Sequence, residues 1–306
     1  MEKNDFSAII ASVIATLIAI GLAFAVSWNG NRVLGVIPIY AIAVAIAFLI
    51  QWLVFIPSFI NKTEKYYDLT GSATYITVII VSILLSGNYN LRTLLVMGLV
   101  LIWTLRLGLF LFRRIRKAGE DKRFTEMKKS GLQFFRAWTF QGLWISFTLA
   151  AALAMITADS KITTAFNVYD WITLVLGLLV WLIGFGFEAT ADRQKKAFTT
   201  APENKGKFIN VGLWRISRHP NYFGEITLWV GIAIMSLPTL AGWRFFALIS
   251  PIFVFLLITQ ISGVPLLEKY ADKTWGGQDN YEEYKKNTPV LFPKLFNKRR
   301  DKINSS

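Results

Sequence analysis

The sequence predicts an all-α integral membrane protein, a polytopic bundle of about eight transmembrane helices with both termini in the cytoplasm. Three observations carry this reading. Apolar residues make up 54% of the 306 positions and charged residues 17%, against about 25% in soluble domains, and the mean hydropathy is +0.46. The apolar residues gather into runs near the ~20 residues that a helix needs to cross a hydrocarbon core of about 30 Å. Lysine and arginine are divided unequally between the segments that join those runs.

In chain order the runs are Ser7–Val26, Val33–Phe55, Leu69–Ser86, Leu91–Phe112, Phe134–Thr157, Tyr169–Phe187, Tyr222–Leu237 and Phe245–Val264. Trp28, Trp52, Trp138 and Trp171 lie near their ends, where an amphipathic ring is favoured. The first run could pass for a signal peptide, because Ala23-Phe24-Ala25 resembles a cleavage site. Its leading segment, however, carries Glu2 and Asp5 against one Lys3, and its apolar stretch is long, so an uncleaved anchor is expected.

With the N-terminus inside, the inner segments hold Lys3, Lys62, Lys65, eight cations over Arg113–Lys129, seven over Arg193–Arg218 and nine over Lys269–Lys302. The outer segments hold Arg32, Arg92, Lys161 and Arg244. This asymmetry is the positive-inside pattern. It accounts for the net charge of +14 without a nucleic-acid partner. The outer loops are short and the inner ones long and polar, so chemistry is expected on the cytoplasmic side. The stretch from Glu268 to Phe296 is amphiphilic and is expected to fold back onto that face.

Cysteine is absent, which excludes disulfides, thiolate metal sites, iron–sulfur clusters and cysteine nucleophiles. His219 is the only histidine, which excludes His-rich zinc sites and two-histidine iron sites; no metal is expected.

The most informative stretch is Gly212-Leu-Trp-Arg-Ile-Ser-Arg-His-Pro-Asn-Tyr-Phe-Gly-Glu225. Pro220 suits a first helical turn, so a helix should begin there. Asn221, Tyr222 and Glu225 then share a face, and Arg215 and Arg218 add positive potential beside the helix N-terminus, which suits a phosphate. A basic membrane-flanking turn with a structural Glu is the bland alternative.

Glu188, Asp192 and Lys196 form a second set, on one face at i, i+4 and i+8. The carboxylates can hold ribose hydroxyls and the lysine a phosphate; a plain salt-bridge ladder is the alternative. Arg106 lies inside the fourth run, one turn after Trp103 and two before Arg113; it either snorkels or faces a polar cavity. Asp68 opens the third run, as an N-cap or as a group that reaches a substrate oxygen. Glu268, Tyr281 and Tyr284 follow the last run. Gly184-Phe-Gly186-Phe-Glu-Ala189 fits a dinucleotide-loop spacing, but inside an apolar helix with no preceding strand that mechanism does not apply.

The chain resembles the bacterial membrane proteins of the steroid 5-alpha-reductase-like superfamily, and more distantly sterol reductases. The residues that carry the resemblance run from Asp68 to Phe296. They are Arg215-Ile-Ser-Arg-His-Pro-Asn-Tyr-Phe-Gly-Glu225, Glu188 with Asp192, Ser262-Gly-Val-Pro-Leu-Leu-Glu268, and Tyr281…Tyr284-Lys-Lys…Pro289…Pro293.

The resemblance implies a seven-helix core preceded by one added helix. Residues 1–60 would form N-terminal helices, and 61–306 a reductase-like membrane domain with cytoplasmic cofactor loops. It implies NADPH as cofactor and hydride transfer to an activated carbon–carbon double bond of a steroid-like or other lipid enone. It also implies a bacterial cytoplasmic membrane with the site facing the cytoplasm. Arg106, Arg113, Glu188, Asp192, Lys196, Arg215, Arg218, His219, Asn221, Tyr222, Glu225, Glu268, Tyr281 and Tyr284 would serve the cofactor. Asp68, with Tyr67 and Trp103, would serve catalysis.

Trp103 stands where the family's proton-donating tyrosine is expected, one turn before the arginine. The C-terminal half is also similar to isoprenylcysteine carboxyl methyltransferases, which share an Arg-His-Pro-x-Tyr turn and use S-adenosylmethionine. A methyltransferase and a non-catalytic lipid-binding relative are therefore the alternative readings.

Overall fold

Long apolar helices dominate the chain, as expected, in a computed structural model that describes residues 3–159 and 166–294. Lys161, Phe296 and the last basic residues of the tail lie outside the described residues. The chain divides into two units, Met1–Leu176 with Ile232–Ser250, and Gly177–Gly231 with Pro251–Ser306.

The first unit starts with α1 (Lys3–Val26). A small hairpin follows, β1 (Arg32–Val33) paired antiparallel with β2 (Ile37–Pro38). Residues 33–38, expected as the start of a span, are therefore strand and turn, and α2 begins only at Ile39 (Ile39–Ile60). Next come α3 (Tyr67–Ser86) and α4 (Leu91–Ala118). The turn between them is built from local chemistry. Gly87, at φ 65°, ends α3 and donates to Ile83 O at 3.0 Å, and the Asn90 side chain caps α4 by accepting from Thr93 N at 3.1 Å.

The expected span Phe134–Thr157 is two helices, α5 (Gly131–Thr148) and α6 (Ala150–Ile156), bent by 56°. The Ser250 hydroxyl donates to Thr148 O at 2.6 Å beside the bend. All seven residues of α6 are buried, so the break faces protein and not lipid, where irregular backbone is tolerated.

Two of the four cations assigned to the outer loops are buried in this unit. Arg92 pairs with Asp170 at 2.5 Å, with side-chain exposures of 1% and 6%, and Asp170 also accepts from Asn167 N at 2.9 Å. Arg244 donates from Nη1 to Val26 O at 2.9 Å and from Nη2 to Ala154 O and, at 3.3 Å, to the Thr157 hydroxyl. One guanidinium thus meets terminal carbonyls of α1 and α6, which have no intrahelical partner.

α7 (Val168–Thr200) begins in the first unit and continues into the second. It is followed by α8 (Pro220–Ser236), α9 (Ile249–Leu256), a π turn over Leu257–Ile261, α10 (Val264–Trp275) and α11 (Asp279–Asn287). As expected, α8 starts at Pro220.

Within the second unit α7 and α8 touch backbone to backbone. A Cβ on Gly224 would lie 2.5 Å from Gly184 O and Glu188 N, and a Cβ on Gly231 2.6 Å from Gly177 O. Gly184 is thus a packing residue. The segment after Glu268 folds back as expected: Tyr284 donates to Trp214 O at 2.6 Å, Arg218 N to Pro289 O at 2.9 Å, and Lys294 N to Ile216 O at 2.9 Å.

Among the described residues, six helices are long and apolar enough to cross a membrane, or seven with the α5–α6 pair as one span. The expected span over Tyr222–Leu237 falls short of this length: α8 has 17 residues, about 25 Å at 1.5 Å per residue, against a core of about 30 Å.

Arg92→Met is expected to lower unfolding stability by about 3–5 kcal/mol, because it strands the Asp170 carboxylate. Adding Asp170→Asn, which keeps an acceptor for Asn167, should recover most of the loss. Denaturant titration in detergent measures both, and equal stability of the two variants would show that the pair is not coupled.

Candidate functional site

In the second unit the site is built around the residues that enter α8. Ser217 donates to Leu291 O at 2.8 Å and accepts from His219 N at 3.2 Å, which ties the turn before Pro220 to the C-terminal segment. Glu268, from α10, bridges the next two side chains. Its Oε2 accepts from Arg218 Nη1 at 2.6 Å, and its Oε1 from His219 Nε2 at 2.7 Å. The His219 ring is 5% exposed and stacks on Tyr222 at 5.6 Å.

Since Nε2 faces a carboxylate, Nε2 carries the proton and Nδ1 is an acceptor. Among the described residues, His219 Nδ1, Asn221 Oδ1 and Arg218 Nε are buried with no hydrogen-bond partner. Burial pushes the imidazole below its ordinary range; Glu268 opposes this, and Lys195 and Arg218 add to it.

Glu188 is 2% exposed on α7, and its backbone N would lie 2.5 Å from a Cβ on Gly224, which stands between Asn221 and Glu225 on α8. Asp192 lies one turn on and is half-buried, whereas Lys196 and Arg215 are exposed. The Trp214 indole donates to Ala191 O at 3.1 Å, and Lys195 Nζ sits 4.9 Å from the Trp214 ring centroid. The unit therefore gathers Glu188, Arg218, His219, Asn221, Tyr222 and Glu268 around one helix start. Tyr281 and Tyr284 are placed differently. Tyr281 donates to Asp272 at 3.2 Å, and both rings pack on Phe208, at 5.2 and 5.3 Å. Burial, with Asp272 and then Glu268 alongside, pushes the Tyr281 phenol up to about 12.

The first unit holds the other group. Asp68 is 19% exposed, and Arg114 Nη2 lies 3.5 Å from its Oδ2. Tyr67 is buried with Phe124, Phe134 and Trp138, and its hydroxyl donates to Ala137 O at 2.9 Å, a packing position. Trp103 is 3% exposed and meets the Tyr75 ring edge-on at 5.4 Å. Arg106 is half-buried on α4, and Arg113 is exposed two turns on.

Sequence reasoning missed several groups here. Glu64 is 3% exposed, pairs with Lys128 and accepts from Asp121 N at 2.7 Å. Burial alone would raise its carboxyl, and the Lys128 and Asp121 bonds outweigh that and hold it below the usual range. Arg123 grips Asp121, with a shortest contact of 2.5 Å. The basic α4–α5 segment is thereby tethered beside α3. Only the spacing of Tyr75, seven residues after Asp68 on the same face of α3, was legible beforehand.

Gly224→Ala is expected to cost about 1–3 kcal/mol through overpacking against α7. Gly186→Ala, with nothing within 4 Å of its new Cβ, should not. Thermal melting of the two variants makes the comparison. His219 gives a pH dependence. Its folded pKa lies below the unfolded value of 6.5, so its contribution is complete above that value and is lost as pH falls toward the folded one. The melting temperature should drop with pH below about 6.5, and His219→Gln should flatten that slope.

Comparison with known proteins gives distant relatives and one family. An uncharacterized protein of Schizosaccharomyces pombe is 25% identical over 243 residues, covering 68% of this chain and 66% of that protein. The 3-oxo-5-alpha-steroid 4-dehydrogenase 1 of Rattus norvegicus is 27% identical over 140 residues, 44% of this chain and 49% of that protein. The Probable O-methyltransferase ustE of Ustilaginoidea virens is 29% identical over 135 residues, 43% of this chain and 44% of that protein. The matches thus span about half the length of the two named enzymes. No solved structure matches. A family model described as "Protein of unknown function (DUF1295)" matches residues 54–288. The chain belongs to the DUF1295 family, which includes steroid 5-alpha-reductase-like proteins, as the resemblance led us to expect.

Proposed function

We propose that the chain is an NADPH-dependent membrane reductase, with an activated carbon–carbon double bond of a steroid-like or other lipid enone as hydride acceptor. The distant steroid-reductase relatives support a membrane reductase family. The observation that carries the finer reading is the mixed set of orphan atoms at the start of α8. One donor, Arg218 Nε, suits a phosphate oxygen, and two acceptors, His219 Nδ1 and Asn221 Oδ1, suit hydroxyl or amide donors. A nucleotide offers both kinds of group, so the residues present fit the cofactor.

Arg218, Arg215 and Lys196 would hold its phosphates, and Glu188 and Asp192 its ribose hydroxyls. Tyr222 and Glu225 would line the same helix face. Glu268 orients Arg218 and His219, and Tyr281 and Tyr284 hold the C-terminal segment against Phe208. Bound NADPH would supply the hydride. In the first unit, Asp68 takes the role of polarising a substrate carbonyl, with Arg106 and Arg113 as cations for phosphate. Trp103 can donate a hydrogen bond but is no useful proton acid. We assign the proton instead to the Tyr75 hydroxyl, on the same helix face as Asp68 and in contact with Trp103.

The methyltransferase relative favours a second reading, S-adenosylmethionine-dependent methyl transfer at the same helix start. Its cofactor has hydroxyls and an amine for the orphan acceptors but no phosphate for Arg218. For location we propose the bacterial cytoplasmic membrane, with both termini and the α8 start on the cytoplasmic side. This requires the short α8 to cross, aided by local bilayer thinning.

Thermal-shift titration separates the cofactor readings, since a ligand of the folded state adds about 2.7 kcal/mol at 100 times its Kd. NADPH is expected to raise the melting temperature, and S-adenosylhomocysteine is not; the reverse result would replace the reductase by a methyltransferase. Arg218→Ala should weaken NADPH at least tenfold, and Tyr75→Phe should leave NADPH affinity intact while lowering turnover about 10²-fold or more. Because the chain has no cysteine, Leu34→Cys and Lys273→Cys report the orientation. An impermeant maleimide should label the first in intact cells and the second only after permeabilisation.

A further inference from the structure

We infer that the groove between α1 and α2 is a binding site for one anionic phospholipid, seated acyl chain inward with its phosphate at Arg32. The groove has a volume of about 710 Å³ and lies wholly within the first unit. Its buried floor includes Ala19 and Ala23 on α1 and Val44 and Phe48 on α2, Ala45 lies exposed on its wall, and Thr16 and Trp52 stand at its deep end. At the other end stand Trp28, half-exposed, and Arg32, an exposed cation on the β1–β2 hairpin.

From Thr16 to the end of α1 at Val26 the helix rises about 15 Å at 1.5 Å per residue, the depth of one leaflet, roughly half of a 30 Å core. A cleft one leaflet deep, apolar along its length and cationic at its mouth, matches one lipid in both shape and charge. Arg32 Nη1 donates to Val36 O at 2.9 Å, which steadies the guanidinium and leaves its Nη2 edge for phosphate oxygens. Trp28 is amphipathic and suited to the headgroup level. An empty cleft would forfeit the dispersion contacts of its walls, so the bilayer has to fill it. α1 and nearly all of α2 precede residue 54, where the family match begins, so the site lies outside the matched residues. It requires only a bilayer environment and is independent of the reductase reading.

Native mass spectrometry of the purified full-length protein tests it, with dioleoylphosphatidylglycerol as probe and dioleoylglycerol, which lacks the phosphate, for comparison. One phosphatidylglycerol per chain is expected, retained at least fivefold more than the diacylglycerol. Ala45→Phe, at an exposed position of the groove, should cut retention at least fivefold. Arg32→Gln should abolish the preference over diacylglycerol while keeping the melting temperature. Should Ala45→Phe fail to fold, Ala45→Met gives the same direction with a more flexible side chain. Equal retention of the two lipids by the wild type, or retention unaltered by filling the groove, overturns the proposal. So does a dimer mass that Ala45→Phe abolishes, because the groove would then be covered by a second copy.

Discussion

Glu268 takes a cation and an imidazole N–H on its two oxygens at once, and the second unit is arranged around that double contact. Arg218 and His219 are the last two residues before Pro220, so anchoring both to α10 holds the backbone from which α8 departs. The residue before a proline is kept out of the helical region, which leaves the bridge to set the direction of entry. Four residues into α8, Gly224 meets Glu188 and Gly184 with no side chain between the backbones. A rotated α8 would present a different residue at that contact, and every residue except glycine would clash. The bridge and the glycine contact therefore specify the same orientation, and together they hold Asn221 and Glu188 near one helix start. Losing one partner of such a half-buried pair is costly, because the remaining charge keeps its desolvation without its compensation.

The first unit shows how an apolar bundle accommodates buried charge. Arg92 has Asp170, Arg244 has terminal carbonyls of two helices, and Glu64 has Lys128 and a backbone amide. Their burial also changes what the charge count means. Arg92 and Arg244 were counted as loop cations on the outer side, yet both are consumed in the fold. Among the described residues of those loops this leaves Arg32 as the exposed cation, so the surface asymmetry is stronger than the linear count implied. The same Arg32 stands at the mouth of the α1–α2 groove.

Much was legible in the sequence because it depends on neighbours along the chain. Run length and hydropathy gave the long helices, Pro220 marked the start of α8, and the Arg218-His219 turn with its later Glu268 carried the family. The misses share a different origin. The bend at Leu149 lies where a serine about a hundred residues away meets Thr148. The Tyr75–Trp103 contact depends on the rotation of α3 against α4. Tyr67 looked catalytic beside Asp68, but adjacent helical positions point in different directions, and its side chain points into an aromatic cluster.

The sequence by itself therefore determined the solvent of this protein, its helical class, the place where α8 begins and the family to which it belongs. Each of these follows from composition or from short-range pattern, and a chain records such patterns directly. The tertiary structure alone decided which charged residues became internal struts, which tyrosine stands against Trp103, and which polar atoms near α8 were left without a hydrogen-bond partner. Those outcomes depend on the partner that each side chain meets after packing, and hydrogen-bond and ion-pair partners at long sequence separation leave no local signature.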